Sequence, residues 1–408
     1  MRPLRFFLYA CSFSVVLSAQ PQSPSLGRIS FPNSGSPAAQ PAFIRGVLLL
    51  HSFEYDDAIA AFREAQKADP GFAMSYWGEA LAYNQPLWLN ENLAKARATL
   101  DRLRAVQRRG QTQPPTPGQT QPPTRGQTPI TAPTAREQGY LDAVERLFGD
   151  GDKASRDRAY ADRMAQLHAQ FPEDDEAAAF YALALLSTIP PGERNLAVSL
   201  KAGEIALAVL KRNPEHPGAN HYALHAFDDG EHAARALQAA RTYARIAPAS
   251  SHARHMPSHV FLPLGMWDEA VASDESAFAT SVALAKQKGL PPSQYDFHAL
   301  SWLHYEYLQQ GRFAKARETM REVERAIAAT GPAGAGHYRD GAPMPPVVSA
   351  PPVVSGFSQT QHQHESEIGK GYGETSLKSE LASMRARLVV ESGDWAPMKG
   401  QGSFDNID

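Results

Sequence analysis

Residues 46–70, GVLLLHSFEYDDAIAAFREAQKADP, decide the fold. An apolar, leucine-rich run reaches a short break at His51–Glu54. A second stretch then places Ala58, Phe62 and Ala65 at helical spacing and stops at Pro70. Small alanines let two helices approach closely, a large ring interdigitates between them, and the proline ends the second helix. The stretch therefore reads as a helix hairpin.

The same punctuation returns along the chain. LGMWDEAVASDESAFA carries Gly265, Trp267, Ala270 and Ala277, and QGRFAKARETMREV carries Gly311, Phe313, Ala316 and Met320. EHAARALQAARTYARIAP carries Ala236, Ala240 and Pro248, and SGDWAPM carries Gly393 and Trp395. Each is a turn, a large apolar residue, then a small alanine where helices cross. The pattern resembles the tetratricopeptide repeat, a helix pair of about 34 residues ending A-x3-F…P. The resemblance covers roughly residues 39–395 apart from two loops. It is strongest at 46–83 and 217–280, and degenerate at 84–200. It implies an all-α, TPR-like solenoid: a right-handed superhelix of antiparallel helix pairs, with the first helix of each pair lining a concave groove. Composition agrees, because Ala and Leu dominate the 43% of hydrophobic residues and no alternating β-branched run is long enough for a sheet.

The 408 residues divide as follows. Residues 1–19 read as a secretory signal, with the basic start MRPLR, the apolar stretch FFLYACSFSVVLS and small residues before a cut after Ala19. Export to the periplasm or beyond is the expectation. Residues 20–38 are rich in Ser, Pro and Gly and read as a flexible tether. Helix pairs fill 39–108. Residues 109–134 repeat GQTQPPT and read as a disordered Pro/Gln/Thr-rich insert. The main array spans 135–329, a Pro/Gly-rich loop spans 330–377, and 378–408 read as a partial repeat with a truncated end.

Charge and cysteine content exclude several functions. Net charge is −3 and no basic face is evident, so nucleic acid is not an expected partner. No segment after the signal is apolar enough to span a bilayer. Cys11, inside the signal, is the only cysteine. The processed chain would hold no disulfide, thiolate site or cysteine nucleophile, so any metal must be bound by His, Asp or Glu.

Half of the fourteen histidines fall within residues 216–259. Pro248 and Gly265 both set repeat starts at 217 and 251, and Gly311 with Ala316 sets one at 297. The resemblance assigns the groove to the second, fifth, ninth and twelfth positions of each repeat. His221, His225 and Asp228 then fall at the fifth, ninth and twelfth, and His252, His255 and His259 at the second, fifth and ninth. His298 and Tyr305 take the second and ninth positions of the next unit. His221/His225 and His255/His259 are i, i+4 pairs that share a helical face. Imidazoles from adjacent repeats, four of them or three with Asp228, suit Zn²⁺ or Cu²⁺, with His252 and His298 extending the site or supporting its ligands from behind. The neighbouring YAL and MPS contain no glutamate after the first histidine, so this is not a zincin motif.

Two functional readings follow. One is an exported repeat protein that takes a protein or peptide partner in its groove, where Tyr222, Trp77 and Asn84 join His298 and Tyr305 as lining. The other is a transition-metal-binding protein or metalloenzyme built on the histidines. The HY…HA…D and HMPSHVF stretches resemble secreted bacterial tetratricopeptide proteins, a likeness that brings no biochemical role with it. No GxSxG, Gly-rich phosphate loop or paired catalytic carboxylates are present.

Overall fold

The computed structural model describes residues 26–88, 90–110, 129–190, 192–330 and 373–395. Residues 1–19, expected to be a signal, most of the low-complexity insert, residues 331–372 and the C-terminal residues after 395 lie outside them. Among the described residues the chain is all-α, apart from a two-residue antiparallel ribbon, β1 (Asn84–Gln85) with β2 (Asn90–Glu91). No described helix is long and apolar enough to cross a membrane.

The helices come in antiparallel pairs. They are α1 (Gln40–His51) with α2 (Tyr55–Ala68), α3 (Ala73–Leu81) with α4 (Leu93–Gly110), and α5 (Ala135–Leu147) with α6 (Lys153–Gln170). Next are α7 (Asp175–Leu186) with α8 (Leu196–Arg212) and α9 (Pro217–Ala226) with α10 (Leu237–Ile246). In the following pair the first helix is split into α11 (Ser251–His255) and α12 (Ser258–Phe261), which pack on α13 (Trp267–Gln287). Then come α14 (Phe297–Gln309) with α15 (Phe313–Ala329), and finally α16 (Glu374–Ser392), packed on both of these.

Local chemistry sets the helix starts. Thr134 and Glu137 form a capping box: the Thr134 side chain accepts from the Glu137 backbone N–H, and Thr134 Oγ1 donates to the Glu137 carboxylate. Asp152, Asp174, Asn195, His216, Ser250 and Asp296 cap α6, α7, α8, α9, α11 and α14. Gly265 and Gly311 close first helices with φ near 70°. In both turns the residue after the glycine donates its N–H back to the helix, Met266 to Phe261 and Arg312 to Tyr307.

Two expectations need correction. Residues 26–38 are not a flexible tether. Phe31 is buried against Phe43, Trp77 and Tyr140, and Arg136 stacks over its ring. The Ser34 and Ser36 backbone N–H groups donate to Glu137 and Asp69. Isolated apolar residues in a polar stretch thus dock on the first pairs. The low-complexity insert also ends earlier than its composition suggests. Ile130 is fully buried, Thr131 pairs with Gln107, and Ala132 N–H donates to Gln138.

His304, on α14, is fully buried, with Nε2 on the Met384 carbonyl and Nδ1 beside the Thr319 hydroxyl. Burial, followed by the nearby Arg387 charge, pushes its pKa down to about 4.

Two measurements check this packing. Ile130→Ala should cost about 2–5 kcal/mol in denaturant unfolding, as for other buried aliphatic truncations. A loss below about 0.5 kcal/mol would return residues 129–134 to the disordered insert. His304 is neutral when folded, so its stabilisation is present above the unfolded value of 6.5 and is lost as pH falls toward 4. His304→Gln should therefore flatten the fall of melting temperature between pH 6.5 and 4, and an unchanged slope would refute the assignment.

Candidate metal centre

The predicted histidines come together, but as two sets of three. His221 and His225 of α9 meet His252 of α11, and His255 and His259 of α11–α12 meet His298 of α14. Within each set one nitrogen per ring lies within 4.8 Å of the others. Each set combines an i, i+4 pair from one repeat with the second-position histidine of the next.

Pro257 splits the helix between His255 and His259 because it lacks an N–H for the ladder. Met256 and Pro257 nevertheless keep helical dihedrals, so both rings stay on one face with centres 4.9 Å apart.

Second-layer contacts fix the tautomers. His221 Nδ1 lies 2.6 Å from the His51 carbonyl oxygen, which can only accept, so Nδ1 carries the proton. The Nε2 lone pair then faces His252 Nε2 at 2.9 Å and His225 Nε2 at 3.0 Å. His255 Nδ1 meets the Asp274 carboxyl at 2.6 Å, and His259 Nδ1 meets Asp228 Oδ2 at 2.8 Å. Asp228 orients His259 so that its Nε2 faces His255 Nε2 across 3.0 Å. Burial, then the neighbouring imidazoles, holds His221 and His255 well below the ordinary histidine value, so both rings are neutral.

Several predicted residues have other roles. Asp228 orients His259 and is not in either compact set, whereas His298 is in one. Tyr222 is fully buried, with its hydroxyl 2.9 Å from His51 Nδ1. Trp77 is a core residue between Phe31, Tyr140 and Phe180. Asn84 is buried and accepts from Lys153 Nζ. These three do not line an open groove. Tyr305 stands apart from both triads, against Trp267.

Other residues of the site gave no local signal in the sequence. The turn after α1 packs onto the first triad. Phe53 lies 4.3 Å from His221, 5.4 Å from His252 and 5.7 Å from His225, centre to centre. Trp302 stacks on His259 at 4.3 Å. Phe53 is the one described non-glycine residue with positive φ, at 59°. It occupies the place that Gly265 and Gly311 take in their turns, with the same return bond, Glu54 N–H to the Leu49 carbonyl. A left-handed phenylalanine is strained, and its ring covers the imidazoles.

Below that turn, Glu176 accepts from His51 Nε2 at 2.7 Å and lies 3.2 Å from His216 Nε2. His216 Nδ1 accepts the Ala219 N–H, and His51 Nδ1 faces Tyr222. These three donors also lie within 4.8 Å of one another, with His51 bonded at both ring nitrogens. Gly218 makes room for it, because a Cβ at 218 would collide with the His51 ring.

No family model matches the chain, and neither does any curated protein. Solved structures do. A thermophilic TPR protein from Thermus thermophilus is 21% identical, covers 43% of this chain and 84% of its own, and has a TM-score of 0.31. A tetratricopeptide repeat protein from Parabacteroides merdae is 10% identical, with coverages of 89% and 97% and a TM-score of 0.32. Yeast Tom70 is 11% identical, with coverages of 90% and 93% and a TM-score of 0.27. At such scores the likeness carries no argument about function, and the architecture rests on the helix pairs themselves. The fold is a tetratricopeptide-like array.

Replacing Phe53 tests its strained turn. Phe53→Gly should be more stable than Phe53→Ala by about 1–2 kcal/mol, the cost of a left-handed residue bearing a Cβ. Equal stability, or the reverse order, would show that the turn is not strained.

Proposed function

We propose that this chain binds a transition-metal ion through the buried imidazoles of adjacent repeats. The observation that carries the reading is the approach of His252 Nε2 and His225 Nε2 to His221 Nε2 at 2.9 and 3.0 Å, with the three rings in one compact set and the His221 proton committed to the His51 carbonyl. A tetrahedral ion with bonds of about 2.0–2.1 Å has edges of about 3.3–3.4 Å, so these rings would part by a few tenths of an ångström to hold it. Three imidazoles with no thiolate favour copper or zinc. A three-histidine set leaves a tetrahedral ion one further position, open to water or a substrate. Asp228 would raise the basicity of the His259 ring it orients.

The peptide-groove reading has less support at these positions. His221, His255 and His259 are nearly inaccessible. The turn at 51–55 occupies the space where a peptide would contact His221. Export belongs to the same proposal and rests on residues 1–19 alone.

Elemental analysis of the protein, purified without a histidine tag or chelator, tests the reading. Bound copper or zinc is expected, reduced in His255→Ala/His259→Ala. That double variant should also melt lower than the parent in metal-containing buffer and show a smaller deficit in chelator. Absence of metal together with failure to take up Cu²⁺ or Zn²⁺ would overturn the proposal, as would equal melting deficits in both buffers.

A further inference from the structure

The repeat architecture duplicates the triad. His221 and His255 are both fifth-position residues, His225 and His259 ninth-position, and His252 and His298 second-position residues of the following unit. The six donors therefore form one motif written twice, an H-x3-H pair completed by the next repeat. Within the triads, ring centres lie 4.7–6.3 Å apart. The equivalent rings His225 and His259 lie 6.5 Å apart, which measures the step from one set to the other on this face. The step is shorter than the roughly 8–10 Å between packed helix axes, as expected on the inside of a curved array.

We propose that the protein holds two transition-metal ions side by side, one in each triad, separated by about that single step. The proposal rests on the metal reading above and extends it from one ion to a neighbouring pair. A single ion with bonds of about 2.1 Å cannot draw on all six rings, since its ligand atoms must lie within about 4.2 Å of one another. The donors instead fall into two compact sets. Each set also has its own orienting contacts: the His51 carbonyl serves the first, and Asp274 and Asp228 serve the second. Aromatic rings flank both, Phe53 on the first and Trp302 on the second. Such walls limit water access and place the two ions in one shared, largely apolar surrounding.

Titration of the metal-free full chain with Cu²⁺, and separately with Zn²⁺, tests this. Two equivalents are expected for the parent. His225→Ala/His252→Ala and His259→Ala/His298→Ala should each retain one. The doubly loaded Cu²⁺ protein should show a dipole-broadened electron paramagnetic resonance spectrum, and each half-site variant the spectrum of an isolated ion. One equivalent in the parent, lost in both variants, would overturn the pair and leave a single site. Two ions with isolated-ion spectra would overturn their adjacency. If neither metal binds at all, the metal reading itself fails. The parent's stoichiometry and spectrum decide the matter even where a variant does not fold.

Discussion

The contact on which the site depends is the docking of the turn after α1 onto α9. His51 makes it twice. Its imidazole reaches Glu176 and the Tyr222 hydroxyl, and its carbonyl takes the proton of His221 Nδ1. These bonds tie the first helix pair to the fourth and fifth, across as many as 171 residues of chain. Without them the concave side near α9 would be an open wall of a solenoid. With them the turn covers the imidazoles of α9, and His221 acquires a defined tautomer.

Burying so many polar rings is costly unless each is partnered. The chain meets the cost unevenly. In the His51–Glu176–His216 group a buried carboxylate between two imidazoles is held ionised: burial opposes its charge, and the two histidines more than offset that. In the triads the Nδ1 atoms of His221, His255 and His259 have partners on the outside, and ring nitrogens face one another at the centre. Asp274 behind His255 faces Glu306, and burial pushes both carboxyls up, Glu306 to about 8. The groups thus differ in what stands at the centre, an ionised carboxylate in one and ring nitrogens in the others.

Much of the fold was legible because repeat punctuation is local. Gly265, Gly311 and Pro248 mark turns that the structure contains, and the register they set brings five clustered histidines and His298 onto converging faces. The division into two triads was not legible, since it depends on how far the second-position ring of one repeat reaches toward its predecessor. Asp228 shares the register of the clustered histidines yet points at a ring nitrogen, a choice made by side-chain geometry. His51 and Phe53 lie some 170 residues from the rings they touch, and no spacing rule links them. Phe53 even violates the glycine preference of its turn. The packed segment at 26–38 was hidden by its composition, because Phe31 gains its burial only from partners on three separate helices.

The docking of distant segments also has a consequence for the ribosome's order of work. A chain made from its N-terminus exposes the turn at 51–55 long before α9 exists, and the second triad lacks a member until residue 298 has emerged. Early helix pairs can fold as they appear, since their contacts are mostly between neighbours. The two triads cannot. The first waits for residue 252 and the second for residue 298, and a chain that stops before α14 would carry the first three histidines together and leave His255 and His259 without their third.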